Sequence, residues 1–178
     1  MRRDQLEHLL RAASRITDDT EVFVVGSQAI LATYDDEELP TEATDSIEAD
    51  FCFRGDADNE KSDLVDGLIG ELSSFHGTFG VYAQGVSITT AVLPDSWDDR
   101  LVVLDNESTH PGRGLCLDPH DLVVSKLVAA RDKDFDFAAA LLREELVDGQ
   151  TLLDRVAILP IPDDHRSRLA TWIEARTT

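Results

Sequence analysis

The chain has 178 residues, is 42% hydrophobic, and contains no apolar run near the ~20 residues that a membrane span requires. Acidic residues outnumber basic ones 36 to 16, a net charge of −20 that repels nucleic acid unless the basic residues cluster. The two cysteines, Cys52 and Cys116, lie in apolar segments without a CxxC or Cys/His cluster, which reads as buried thiols rather than a disulfide or zinc site. The length suits one domain. The N-terminus leads straight into an amphipathic pattern without a secretory h-region, so a cytoplasmic location is expected.

Leu6, Leu9, Leu10, Ala13 and Ile16 recur at helical spacing over residues 4–17. Glu21 to Val25 reads as a strand ending at Gly26-Ser27, and Gln28 to Tyr34 as a short helix. Residues 35–45 are acidic, contain Pro40, and read as a loop. From Ser46 to Phe53 the pattern alternates: Ile47, Ala49, Phe51 and Phe53 face a core, while Ser46, Glu48, Asp50 and Cys52 face the other way. A helix is predicted over 61–74, with Leu64, Leu68, Ile69 and Leu72 on its buried side. Strands are predicted at Phe79–Ala83 and Val86–Val92, split by Gly85, then at Arg100–Leu104 and, briefly, at Leu115–Leu117.

Asp118-Pro119-His120-Asp121 is a helix start, with an N-cap carboxylate, a proline in the first turn and a favourable charge at the N-terminus. That helix is expected to reach Arg131, followed by helices near 133–146, 150–158 and 163–175. Helix, strands, then helices predict an α/β domain spanning 1–178, with a core over 1–117 and a helical part over 118–178.

Two features carry chemistry. A strand delivers Gly26 and Ser27 to the start of a helix, where backbone N–H groups and the Ser27 hydroxyl suit a phosphate; a tight turn is the alternative. Glu48 and Asp50 leave one face of a strand side by side, which suits a hard cation such as Mg²⁺; a water-facing edge strand is the alternative. Tyr82, Gln84 and Gly85 line a pocket or form a bulge beside the core. His76 and His120 have no metal-like spacing.

Together, the strand–Gly-Ser–helix unit and the paired acids about twenty residues later resemble the nucleotidyltransferase fold of the DNA polymerase β type. That fold is a mixed sheet with flanking helices. The resemblance implies that Gly26 and Ser27 grip a nucleoside triphosphate and that Glu48 and Asp50 hold Mg²⁺. The usual pattern has Asp at both positions; Glu48 departs from it and reaches further.

Further stretches narrow the resemblance to an uncharacterised family of bacterial nucleotidyltransferase-like proteins. These are Gly26-Ser27-Gln28-Ala29-Ile30, Ser46-Ile47-Glu48-Ala49-Asp50, Phe75-His76-Gly77-Thr78-Phe79-Gly80, Tyr82-Ala83-Gln84-Gly85-Val86, Ala91-Val92-Leu93-Pro94 with Trp97 and Arg100-Leu101, and Pro119-His120-Asp121-Leu122 with Ser125-Lys126-Leu127. That family is similar to the AbiEii and Men-type toxins of toxin–antitoxin systems, nucleotidyltransferases of which some act on tRNA 3′ ends. By that similarity Lys126 contacts the triphosphate, and Asp134, with Asp132 as its rival, is a third acid acting as metal ligand or general base. The same similarity implies that Ser46 is a nucleotide-site hydroxyl open to inhibitory phosphorylation; a hydroxyl that only bonds nearby backbone is the alternative. The implied acceptor is RNA, including tRNA, or a protein hydroxyl, and the implied partner is a cognate antitoxin. The charge disfavours tRNA unless Arg100, Arg113, Arg131 and Arg143 converge.

Overall fold

The computed structural model describes residues 1–177. It is a mixed α/β fold built on a five-stranded sheet. Helix α1 (Arg3–Thr17) precedes strand β1 (Glu21–Val24) and a 3₁₀ segment, Ser27–Ala32. The short helix α2 (Thr41–Thr44) leads to β2 (Glu48–Cys52), followed by α3 (Glu60–Ile69), α4 (Ser74–Phe79) and β3 (Tyr82–Gly85). Two more strands follow, β4 (Val102–Leu104) at the edge of the sheet and β5 (Arg113–Cys116) inside it. The chain then turns helical: α5 (Pro119–Ala129), α6 (Asp132–Arg143), α7 (Gly149–Ala157) and α8 (Asp163–Glu174).

The sheet order is β3-β2-β1-β5-β4. β1 runs antiparallel to β2 and parallel to β5, and β2 runs parallel to β3. Register assigns the two faces. Val22 and Val24 share one face with Ala49 and Phe51, and all four are fully buried. Helix α1 covers this face through Leu6, Leu9 and Leu10, with Leu10 lying against Gly114. Helix α3 covers it beside β3, where a Cβ on Gly85 would come within 2.3 Å of the Ser62 carbonyl oxygen. The opposite face carries Tyr82, Glu48, Asp50 and Phe23, so the polar residues of β2 emerge away from α1 and α3.

Helix α5 begins as its sequence dictates: the Asp118 carboxylate accepts from the backbone N–H groups of His120 and Asp121, and Pro119 occupies the first turn. Asp121 also bridges α5 to its surroundings, hydrogen-bonded to Arg100 at 2.8 Å and ion-paired with Arg155 of α7 at 2.9 Å while itself fully buried.

Several sequence expectations are corrected. Residues 28–34 are not an α-helix but the 3₁₀ turn Ser27–Ala32, and the 35–45 loop contains α2 and a 3₁₀ turn at Asp36–Glu38. Ile47 is 46% exposed, because pairing begins only at Glu48 and the side chain lies beyond the cover of the helices. Helix α3 docks in a different phase: Ser62, Val65 and Ile69 face inward, and Leu64, Leu68 and Leu72 are exposed. The close approach of Ser62 to Gly85 sets that phase, since only small groups let helix and strand come so near. Phe79 ends a helix rather than opening a strand, and β3 starts at Tyr82. Val86–Val92 is not a strand. Ser87 caps a 3₁₀ turn at Ile88–Thr90, and the segment folds across the sheet face. Leu115–Leu117 is shifted to Arg113–Cys116, which pairs with β1 inside the sheet.

Candidate active site

A cavity of about 300 Å³ opens on the polar face of the sheet. Gly26 and Ser27 at the end of β1 form one side, with Glu48 and Asp50 on the floor. Val86, Thr90 and Val92 from the crossing segment form a wall, and Lys126, Arg131 and Lys133 come from the α5–α6 corner. In a chain with three lysines and an excess of acid, two of the three lysines line this cavity.

Glycine at position 26 is a matter of space rather than of dihedral angle. Its backbone is extended, yet a Cβ there would lie 1.7 Å from Asp50 Oδ2. The Gly-Ser turn and the carboxylate strand are therefore in direct apposition. The Val25 N–H donates to the Asp50 carbonyl at 3.1 Å. Fully buried Gln28 ties the same two elements, donating from Nε2 to the Ser46 carbonyl at 3.3 Å. The helix expected to present its N-terminus at Ser27 is six residues of 3₁₀ turn, so the turn's backbone and hydroxyl matter more than a helix dipole.

The carboxylates are held differently. Glu48 Oε2 accepts from the Tyr82 hydroxyl at 2.7 Å, an arrangement made possible by the parallel pairing of Glu48 with Tyr82. The hydrogen bond to Glu48, with burial, holds the Tyr82 phenol above its ordinary range. The Tyr82 ring rests 4.8 Å from that of His76, centroid to centroid. Burial, reinforced by the neighbouring charge of Glu48, pushes the Asp50 carboxyl up to about 6. The fields of Lys126 and Arg131 oppose that rise without cancelling it. Ser46 lines the cavity, but its hydroxyl is engaged locally, accepting from the Glu48 N–H and donating to the Glu48 carbonyl, both at 3.2 Å.

Lys126 is 9% exposed. Its ammonium donates to Asp134 Oδ1 at 3.3 Å and sits 4.9 Å from the Phe137 ring centroid. Burial lowers the Lys126 pKa from its ordinary value, against the pull of Asp134. Asp134 is fully buried, and its other oxygen accepts from Arg131 Nε at 2.6 Å. Burial alone would raise the Asp134 carboxyl; the Arg131 and Lys126 charges overcome it and hold it below the usual carboxylate range. Among the described residues no three His, Cys, Asp or Glu side chains gather as a metal cluster. Asp134, expected as a third acid acting as metal ligand or general base, makes ion pairs with two cations, Lys126 and Arg131. Its rival Asp132 starts the same helix, exposed.

Sequence reasoning left Tyr82 undecided and gave Lys133 no role, although the scarcity of lysine marked the 126–133 stretch. The arginines weighed as a nucleic-acid patch each meet different carboxylates. Arg100 pairs with Asp121, Arg113 with Glu21, Arg131 with Asp134, and Arg143 with Glu42 and Glu144. Cys52 and Cys116 are free thiols, each pushed up to about 12 by burial and thus unreactive at neutral pH.

Among the described residues no helix is long and apolar enough to cross a membrane. No curated protein and no solved structure matches the chain. The family described as "Nucleotidyltransferase of unknown function (DUF6036)" matches residues 4–170, nearly the whole length, and the chain belongs to that family.

Proposed function

We propose that the protein transfers a nucleotide from a nucleoside triphosphate to an acceptor hydroxyl with the help of Mg²⁺. One observation carries the reading: paired carboxylates, Glu48 and Asp50, face a cationic corner of Lys126, Arg131 and Lys133 across a cavity edged by Gly26 and Ser27. The residues suit Mg²⁺, which commonly takes one or two carboxylates and completes its shell with phosphate oxygens and water. Burial first, and the adjacent charge of Glu48 second, raise the Asp50 carboxyl, and a cation shared by the two acids would favour its ionised form. When bound, the metal supplies positive charge at the phosphates and aligns an in-line displacement.

The chain's own groups have separable roles. Gly26 admits the phosphates close to the backbone, and Ser27 donates to them. Tyr82 orients Glu48. Lys126 and Arg131, steadied by Asp134, neutralise the departing pyrophosphate. In the reaction a bond forms between the acceptor oxygen and the α-phosphorus, the α–β phosphoanhydride bond breaks, and the acceptor proton passes to solvent.

The dispersal of the arginines into separate ion pairs favours a protein hydroxyl as acceptor over tRNA or other RNA. From the resemblance of its family to AbiEii and Men-type toxins alone, we infer a place in a toxin–antitoxin pair, as the toxin or as the member that modifies its partner. Calorimetry with each nucleoside triphosphate, with and without Mg²⁺, tests the binding step. Wild type should bind only with Mg²⁺, and Glu48→Gln combined with Asp50→Asn should lose that requirement. Equal binding without Mg²⁺ would overturn the reading. Incubation with labelled nucleotide, total RNA and total protein then shows which acceptor takes the label.

A further inference from the structure

A second recess opens on the same sheet face, on the far side of Asp50 from Ser27. It measures about 170 Å³ and is lined chiefly by Phe23, Phe53, Arg54, Ile88 and Trp97, with Asp98 at its rim. Cys52 at its floor lies two residues along β2 from Asp50, about 7 Å on the same face. The segment after β3 borders both hollows. Val86 and Thr90 line the cleft and Ile88, between them, lines the recess, so cleft and recess share one wall.

The lining is aromatic and charged at once. The Phe23 ring meets Trp97 edge-on at 6.2 Å, and the Arg54 guanidinium stands 5.3 Å over the Phe23 ring. Among the described residues Arg54 has no carboxylate partner and no hydrogen bond, although acids outnumber bases 36 to 16. An exposed guanidinium beside Trp97 offers donors at a ring edge, and exposed Asp98 offers acceptors.

We propose that this recess is the base subsite: it holds the nucleobase of the same nucleotide whose phosphates lie at Gly26, Ser27 and the carboxylate pair. The inference rests on the reading of the cleft given above. The volume is below that of a site for a whole ligand and suits a single ring system. Aromatic walls stack any base, while Arg54 and Asp98 address its polar edge. An apolar peptide side chain would leave both charged groups without use. Phosphates beside Ser27, an α-phosphate near Asp50 and a base at Trp97 follow one line along the sheet face.

The test compares inorganic triphosphate with each nucleoside triphosphate, in Mg²⁺, by calorimetry. A nucleoside triphosphate should bind about tenfold or more tighter than inorganic triphosphate, the range that stacking of one base supports. Arg54→Gln and, separately, Trp97→Leu should remove most of that difference and leave the affinity for inorganic triphosphate unchanged. Arg54 is exposed, so its variant keeps the fold if the tryptophan variant does not. In a Trp172→Phe background, millimolar free nucleoside should quench Trp97 fluorescence, including in the Glu48→Gln/Asp50→Asn protein. Equal affinities in wild type, a difference that survives Arg54→Gln, or no quenching overturns the base subsite. Failure of inorganic triphosphate to bind overturns the cleft reading instead, and the nucleoside arm still decides the recess.

Discussion

At the residue scale, the site depends on contacts that leave no slack. Gly26→Ala would place a methyl group where the Asp50 carboxylate now lies. The carboxylate must rotate or the strands part, so Mg²⁺-dependent triphosphate binding should fall at least tenfold while circular dichroism stays near that of wild type. A variant that binds normally would show that Asp50 does not act from this position. Asp50 also gives the protein a pH signature. Its folded carboxyl keeps a proton up to about 6, whereas an unfolded aspartate releases it near 3.8. Between those values the unfolded chain binds fewer protons, so this group makes stability fall as pH rises from about 4 to about 6 and level off above. Two pKa units at 1.36 kcal/mol each set a ceiling of about 3 kcal/mol. Asp50→Asn should remove that slope and be more stable than wild type at pH 8, with little difference at pH 4. Urea midpoints at the two pH values measure it; a wild type that loses nothing between them contradicts the assigned burial.

At the element scale, the α5–α6 corner is built around one buried carboxylate. Asp134→Asn leaves Lys126, itself 9% exposed, without its counter-charge and loosens Arg131. The expected cost is about 3–5 kcal/mol, the range for breaking a buried pair from one side. A chemical melt checks that figure, and triphosphate affinity should fall with it. A full-stability variant that only loses Mg²⁺ would return Asp134 to the metal. This corner also shows what a sequence can and cannot reveal. The start of α5 was legible because Asp118 and Pro119 act within one turn. The placing of Glu48 and Asp50 on one face was legible because strand geometry has a period of two. Which partners Asp134 takes is decided by side-chain directions across two helices, and spacing does not encode them. The phase of α3 failed for a similar reason: its leucines suggested one buried stripe, but contact between Ser62 and Gly85, 23 residues apart, turned another face inward. Val86–Val92 misled because an apolar run fits a strand or a buried turn equally, and β3 is already the edge of the sheet. The Tyr82 contact with Glu48 needed the parallel register of β2 and β3, which no local pattern contains.

At the scale of the whole molecule, a charge of −20 on 178 residues must act against compactness. Ion pairs offset part of this, but most are exposed. Pairs such as Arg2 with Asp4 and Arg168 with Asp164 lie in water, are screened by it and contribute little. Salt acts unequally on the two effects. Repulsion between unpaired acids extends over distances comparable with the Debye length, about 10 Å at 0.1 M and 3 Å at 1 M, and is screened first. The paired charges, within 4 Å, and the trio that Arg100 and Arg155 form around buried Asp121 are screened least. Net stability should therefore rise with ionic strength. Between 20 mM and 0.5 M NaCl a gain of about 1–2 kcal/mol is expected, or roughly 3–8 °C in Tm for a chain of this length. KCl at equal ionic strength should give the same gain, since screening does not depend on the identity of the ion. Triphosphate binding should respond in the opposite direction, because Lys126, Arg131 and Lys133 attract the ligand through charge. Thermal melts and calorimetry across the same salt series give both slopes. A Tm that falls with salt would mean that the ion pairs outweigh the repulsion; triphosphate affinity that ignores salt would remove the cationic corner from the binding site.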